Sequence, residues 1–270
     1  MASMSATRST QSPDSSSGVR AARRALEIMS LLSKARPSLT LKEVLEDTGL
    51  PRTTALRLLE TLQQAGLLWR TGGHNYVAGP ALLRWSELAA QGWQLPPGTR
   101  DWMRRLADRT GETVSVYVRH DVHRVCIAAE EGTHALRHVA KVGSEQPLWA
   151  GAPAKILLAD ASPALLVRVA ALSPRGPGYL PKLESWCEEV RRDGWAVSHG
   201  EREDGLSVVA VPVRDRRQNI LASVSVAGPT PRFPPDLVES HRDELLDLTA
   251  QMQEASFEDT PGLAGAADRD

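Results

Sequence analysis

Cysteine is scarce: Cys126 and Cys187 are the two in 270 residues. Two thiols make neither a disulfide framework nor, by themselves, a four-ligand zinc site. No apolar run approaches the roughly 18–20 residues that cross a bilayer as a helix, which excludes a helical membrane span. There is no P-loop, no dinucleotide-binding glycine fingerprint and no nucleophile elbow. The Gly-Pro stretches at 173–178 and 228–231 read as turns, not phosphate cradles, and no internal repeat is found. The N-terminal stretch is rich in Ser and Thr without an apolar h-region, so no secretory signal is expected. A reduced, cytoplasmic chain with no cofactor and no membrane partner is the expectation.

What is present suits a globular chain of two domains plus tails, with 41% hydrophobic and 24% charged residues in 270. The net charge of −1 hides an asymmetry. Residues 18–79 hold nine basic and five acidic side chains, a balance of +4, and the segment beyond them is −5. A basic first unit on an acidic remainder suggests that the first part alone meets a polyanion.

Residues 1–17 read as a disordered tail. A first helix is predicted over 19–34, with Ala25, Ile28, Met29 and Leu32 at the spacing of one buried face. Pro37 and Ser38 interrupt. Thr40 followed by Glu43 spells a capping box for a second helix, which Gly49 ends in the left-handed conformation. Pro51 opens a third helix whose core side is Ala55, Leu58, Leu59 and Leu62. Two short strands, 67–70 and 75–78, follow around a Gly72-Gly73 turn. A fourth helix over 79–91 carries Leu82, Leu83, Trp85, Leu88 and Ala89, more apolar surface than one face needs.

Residues 92–98 read as a boundary. Beyond it, a helix up to Thr110 leads into alternating strands. Val114, Val116 and Val118 point one way while Ser115, Tyr117 and Arg119 point the other. Further strands are expected at 124–130, 136–142, 195–198, 206–213 and 219–227, and helices at 152–160, 163–172, 180–193 and 235–257. Strand runs flanked by helices without a βαβ rhythm indicate an α+β fold with an antiparallel sheet.

The outward face of the third helix is the informative one. Arg52, Thr53, Thr54, Leu56 and Arg57 lie on its first two turns, where a recognition helix meets base edges and phosphates. Arg70 and His74 in the hairpin tip, and Arg20 and Arg23 on the first helix, would reach flanking backbone. The plain alternative is a three-helix bundle with a solvated basic face. The capping box, the glycine turn, the Thr/Arg outer face and the hairpin together favour a reader of double-stranded operator DNA.

The stretch LTLKEVLEDTGLPRTTALRLLETLQQAGLL (39–68) resembles the winged helix-turn-helix of IclR-type transcriptional regulators. KVGSEQPLWAGAPAKILLA (141–159) is similar to that family's glycine-to-lysine loop and helix. VRRDGWAVSHGEREDGLSVVAVPVRDRRQNILASVSVAGP (190–229) looks like its C-terminal signature. The resemblance implies a winged helix-turn-helix domain (18–79), a linker helix (80–95), a GAF-like effector-binding domain (96–257) and a disordered tail (258–270). It also implies a homodimer or dimer of dimers, and a small-molecule effector that changes DNA affinity, with a repressor expected. Carried over by position, the effector pocket would be lined by Leu148, Ala150, Gly151, Ala152, Ser198, Leu206, Val208, Ser225 and Ala227. Trp149, Ala154, Ser198 and Val208 depart from the family pattern in ways that make the pocket more apolar, so an aromatic or otherwise apolar acid is preferred.

A rival from another class is a GAF-domain enzyme, or a thiol or metal redox sensor, using Cys126. At period 2 Cys126 shares a face with Arg124 and Ala128, away from His120 and His123, so a buried inert thiol is the expectation.

Overall fold

The computed structural model describes residues 15–33 and 35–263. The chain divides between Gln91 and Gly92 into two compact units.

In the first unit, α1 (Ser15–Ser30), α2 (Leu41–Thr48) and α3 (Arg52–Gln64) surround a core of Ile28, Leu39, Val44, Ala55, Leu59, Leu62 and Leu68. Helix α1 starts before the predicted residue 19 and takes in 15–17, which had been assigned to the tail; 1–14 lie outside the described residues. The capping box at α2 forms. The Glu43 amide donates to Thr40 Oγ1 at 3.2 Å, and the Thr40 amide donates to the Glu43 carboxylate at 2.6 Å. Gly49 closes α2 with φ 64°, as a left-handed terminus requires.

A three-stranded antiparallel sheet follows, ordered β1 (Ser38–Leu39), β3 (Tyr76–Ala78), β2 (Leu68–Arg70). The sequence reading missed β1 because Pro37-Ser38 looked like a break; its two residues pair with Val77 and Tyr76. The hairpin turns at Gly72-Gly73 as expected: the His74 amide donates to Thr71 O at 3.1 Å across them, and His74 then takes the left-handed conformation, with φ 63°. Helix α4 (Ala81–Gly92) buries no residue and leaves Leu83, Trp85 and Leu88 exposed.

The second unit is a six-stranded antiparallel sheet with helices on both faces. Its strands are β4 (Thr113–His120), β5 (His123–Glu130), β6 (Glu145–Pro147), β7 (Ala196–His199), β8 (Leu206–Arg214) and β9 (Ile220–Pro229), in the spatial order β6-β5-β4-β9-β8-β7. On one face α5 (Thr99–Thr110) and α9 (Pro235–Glu254) pack on Val114, Val116, Val118, Val209, Val211 and Val224. On the other lie α6 (Ala152–Leu158), α7 (Pro163–Leu172) and α8 (Leu180–Asp193), around Tyr117, Leu148, Leu183 and Trp186. The alternation predicted along β4 is present, and both of its faces are buried.

Four expectations change. The strand predicted over 136–142 is an irregular connection. Leu136, Val139 and Val142 face outward, and its carbonyls are held by side chains: Thr113 Oγ1 donates to His138 O at 2.5 Å, and Arg232 to Leu136 O at 2.9 Å. The boundary at 92–98 belongs to the second core, through Leu95 and Trp93. Residues 258–263, expected as tail, instead lie against that same core, where Phe257 and Leu263 are buried; residues beyond 263 are outside the described ones. Finally, β5 contains a bulge. Tyr117 pairs with Cys126 while Val116 pairs with Ala128, so one extra residue, Ile127, resets the alternation. Cys126 therefore faces the α6–α8 layer and Ala128 the α5–α9 layer, not a common side as period 2 predicted.

Candidate functional site

Helix α3 presents Arg52, Thr53, Leu56 and Arg57 to solvent, with Thr54 half-buried beside them. Three described cations of the unit are neutralised, while Arg20, Arg24 and Arg70 are not. Arg36 pairs with Asp47 and Glu43, Lys42 with Glu46, and Arg23 with Glu27. Among the described residues, Arg52 and Arg57 have no such pair. The helix start differs from that of α2 in the same sense. Pro51 caps α3 without a side-chain hydrogen bond, and no acidic residue lies in its first turn. Bare amides and the positive end of the helix dipole make this terminus suited to an anion such as a phosphate. At the hairpin tip Arg70 Nη2 lies 2.5 Å from His74 Nδ1, both side chains exposed. Arg20 and Arg23 are exposed on α1. Every cation and threonine proposed for DNA contact thus lies on or near the surface of the first unit.

The second unit holds a groove of about 590 Å³ whose wall is the 136–144 connection on one side and residues 202–206 on the other. Behind it, an inner chamber of about 20 Å³ shares His138, Gln146, Arg202, Glu203 and Leu206 with the groove. Of the nine residues expected to line a pocket, Gly151, Ser198, Leu206, Val208, Ser225 and Ala227 line this chamber. Leu148, Ala150 and Ala152 do not. Leu148 packs among Tyr117, Cys126 and Trp186; Ala152 packs against Ile156 and Ala210; Ala150 gives its carbonyl to Arg124.

Residues at the chamber divide into those that hold the fold and those left open. Ser198 Oγ accepts the Ala152 amide at 3.0 Å, tying β7 to the start of α6. Glu201 accepts the Gly151 amide at 3.1 Å and the Lys155 ammonium at 2.5 Å, and Lys155 also donates to Val197 O while lying over the Trp186 ring. Gly151 has φ 91°, and a side chain there would sit 3.4 Å from Arg124 Nη2; only glycine takes that backbone without strain. By contrast, the Ser225 hydroxyl is buried and has no hydrogen-bond partner. Burial, then the Arg202 cation, hold His138 below the usual histidine range.

The chamber lining is mixed, with Arg124, His138, Gln146 and Arg202 beside Leu206, Val208 and Ala227. The sequence reading missed Arg124, Gln146, His138 and Arg202 as lining residues, because they come from β5, from β6 and from connections that fold back over the sheet. One signal existed: Arg124 shares the inward parity of Cys126, and a buried thiol two residues on implies that the guanidinium is carried inward too.

Cys126 is surrounded by apolar side chains; its thiol donates to Ala128 O at 3.4 Å, and burial pushes it up to about 11. A thiol so placed is neither a thiolate near neutral pH nor paired with a base. His120 and His123 approach Glu145 instead, and among the described residues no three His, Cys, Asp or Glu side chains come together as a metal site. Among the described residues no helix is long and apolar enough to cross a membrane.

Comparison with known proteins agrees on both units. Residues 21–72 match the IclR helix-turn-helix domain, and residues 89–254 match the C-terminal domain of bacterial IclR transcriptional regulators. The chain is 29% identical over 255 residues to the HTH-type transcriptional repressor AllR of Klebsiella pneumoniae, covering 89% of this chain and 91% of that one. It is 26% identical over 227 residues to the HTH-type transcriptional regulator KipR of Bacillus subtilis, covering 80% and 91%. Among solved structures, an IclR-family regulator from Brucella abortus superposes with a TM-score of 0.77 at 21% identity, over 91% of this chain and 97% of that one.

Proposed function

The chain belongs to the IclR family of transcriptional regulators, and from that premise we propose that it is a repressor released from its operator by a small effector bound in the second unit. The observation that carries the DNA half is the pair of unneutralised arginines on the open, uncapped start of α3. Arg57 acts on phosphate, and Arg52 with Thr53 on base edges. The wing tip, Arg70 and His74, and the α1 arginines Arg20 and Arg23 hold the flanking backbone. Two copies pair through the exposed Leu83, Trp85 and Leu88 of α4, because a lone apolar stripe of that kind is costly in water. The sign of regulation follows the relatives named as repressors.

The effector half is supported by Ser225, a buried hydroxyl at the chamber wall with no protein partner. A bound molecule changes DNA affinity only as far as it prefers one arrangement of the protein over the other.

Fluorescence anisotropy of the chain on its own promoter fragment tests both halves. Arg57→Ala should weaken binding to all sequences and flatten the salt slope by about one unit. Arg52→Ala should relax base preference, costing on the order of 1–3 kcal/mol. Ser225→Ala should leave DNA affinity intact and weaken the response to an effector. Failure to bind the promoter fragment at low ionic strength overturns the reading.

A further inference from the structure

The buried charge of the second unit is unusually placed. Arg124 is 3% exposed, near the start of β5 where it pairs with the edge strand β6, and lies over the Tyr117 ring at 5.5 Å. Its hydrogen-bond acceptors are all neutral: Nη1 donates to Pro147 O at 2.9 Å and to Ala150 O at 2.8 Å, and Nη2 donates to the Gln146 side-chain carbonyl at 2.8 Å. Its Nε has no partner at all. Buried guanidinium groups are ordinarily matched by a carboxylate, because removing a cation from water costs several kcal/mol unless it is paired.

The carboxylates nearby are already engaged. Glu201 is taken by Lys155 and the Gly151 amide, and Glu203 by Arg202. Burial, uncompensated by any acidic neighbour, pushes Arg124 down to about 10, yet leaves it charged at neutral pH. The one partner open to exchange is Gln146, half-buried at the passage between chamber and groove.

We propose that Arg124 is the anchor for a carboxylate ligand. The carboxylate replaces the Gln146 side chain on Nη2 and takes the free Nε, forming a side-on paired contact of the kind guanidinium and carboxylate groups favour. The chamber of about 20 Å³ then holds only the head group, while the body of the molecule lies in the groove. Ser225 supplies a second hydrogen bond from β9. One unmatched cation suits one negative charge, so a monoanionic acid fits better than a phosphate dianion. The inference rests on the reading of this unit as an effector receptor, and it names the ligand class and the residue that selects it.

Calorimetric titration of the full chain with two acid–amide pairs, benzoate with benzamide and isobutyrate with isobutyramide, tests it. At least one acid should bind, and its amide, of equal shape but uncharged, should bind on the order of ten- to a hundredfold more weakly. Arg124→Gln should remove that preference. The wild-type comparison needs no variant to fold. An amide that binds as well as its acid, an acid held equally by Arg124→Gln, inorganic phosphate that binds more tightly than either acid, or no binding by either acid overturns the proposal. Anisotropy on the promoter fragment separates it from the broader reading. An acid that binds through Arg124 without moving DNA affinity leaves the anchor standing and removes the effector role; a neutral metabolite that releases DNA, with neither acid bound, does the reverse.

Discussion

The two units handle charge in opposite ways. In the first, charged side chains lie at the surface, some in pairs such as Arg36 with Asp47 and Lys42 with Glu46, while Arg52 and Arg57 on α3 have no ion-pair partner. Exposed pairs of this kind add little to stability, so an arginine can be left unpaired there at small cost. In the second, polar groups are carried inside. Lys155 is matched by Glu201, and Glu112, 2% exposed, is matched by Arg232. Inside a protein an unmatched group is expensive, so Arg124 and Ser225 are conspicuous for the opposite reason. A surface reader is recognised by its spare charges, and a ligand receptor by its unsatisfied ones.

The largest expected effect tests whether the two units are separate in stability as well as in chemistry. Trp186→Ala removes a fully buried indole from the second core and should cost about 3–5 kcal/mol; Leu59→Ala in the first core should cost about 2–5 kcal/mol. In urea unfolding followed by circular dichroism, each variant should shift one transition and leave the other in place. Both transitions moving together would break the comparison.

A smaller effect sharpens it within the first unit. Thr40→Ala removes the α2 cap and should cost roughly 1 kcal/mol, visible in the first unit's transition only. Since α3 has no side-chain cap, DNA binding extrapolated to full folding should be unchanged.

The smallest effect is in pH. His241 is buried against Phe233, its Nδ1 has no partner, and burial holds it below the usual histidine value. The unfolded chain then binds a proton that the folded chain does not. Stability of the second unit is therefore full above about pH 6.5 and declines as pH falls below it. His241→Gln should flatten this acid limb in thermal melts; an unchanged limb would assign it elsewhere.

Much of the first unit was legible because its signals are local. Thr40 and Glu43 cap within three residues, Gly49 ends a helix at one position, and the α3 periodicity spans a few turns. The two-residue strand β1 was not, since it exists only through pairing with Val77 and Tyr76. In the second unit the long strands and α7 and α8 followed from alternation and periodicity. The stretch 136–142 has the apolar content of a strand yet pairs with none in the sheet, so Leu136, Val139 and Val142 remain outside while Ala140 turns in. The chamber wall was half legible: Ser225, Val208 and Ala227 came with the family resemblance, whereas Gln146, His138 and Arg202 arrive there by tertiary folding alone.

The extra residue at Ile127 has a consequence for how β5 is shared between the two layers. Without Ile127 the strand would pair unbroken with β4, and Arg124, Cys126, Ala128 and Ala129 would each keep the layer they now serve. The bulge thus lets β5 give two successive side chains, Ile127 and Ala128, to the α5–α9 core while Arg124 and Cys126 stay on the opposite layer.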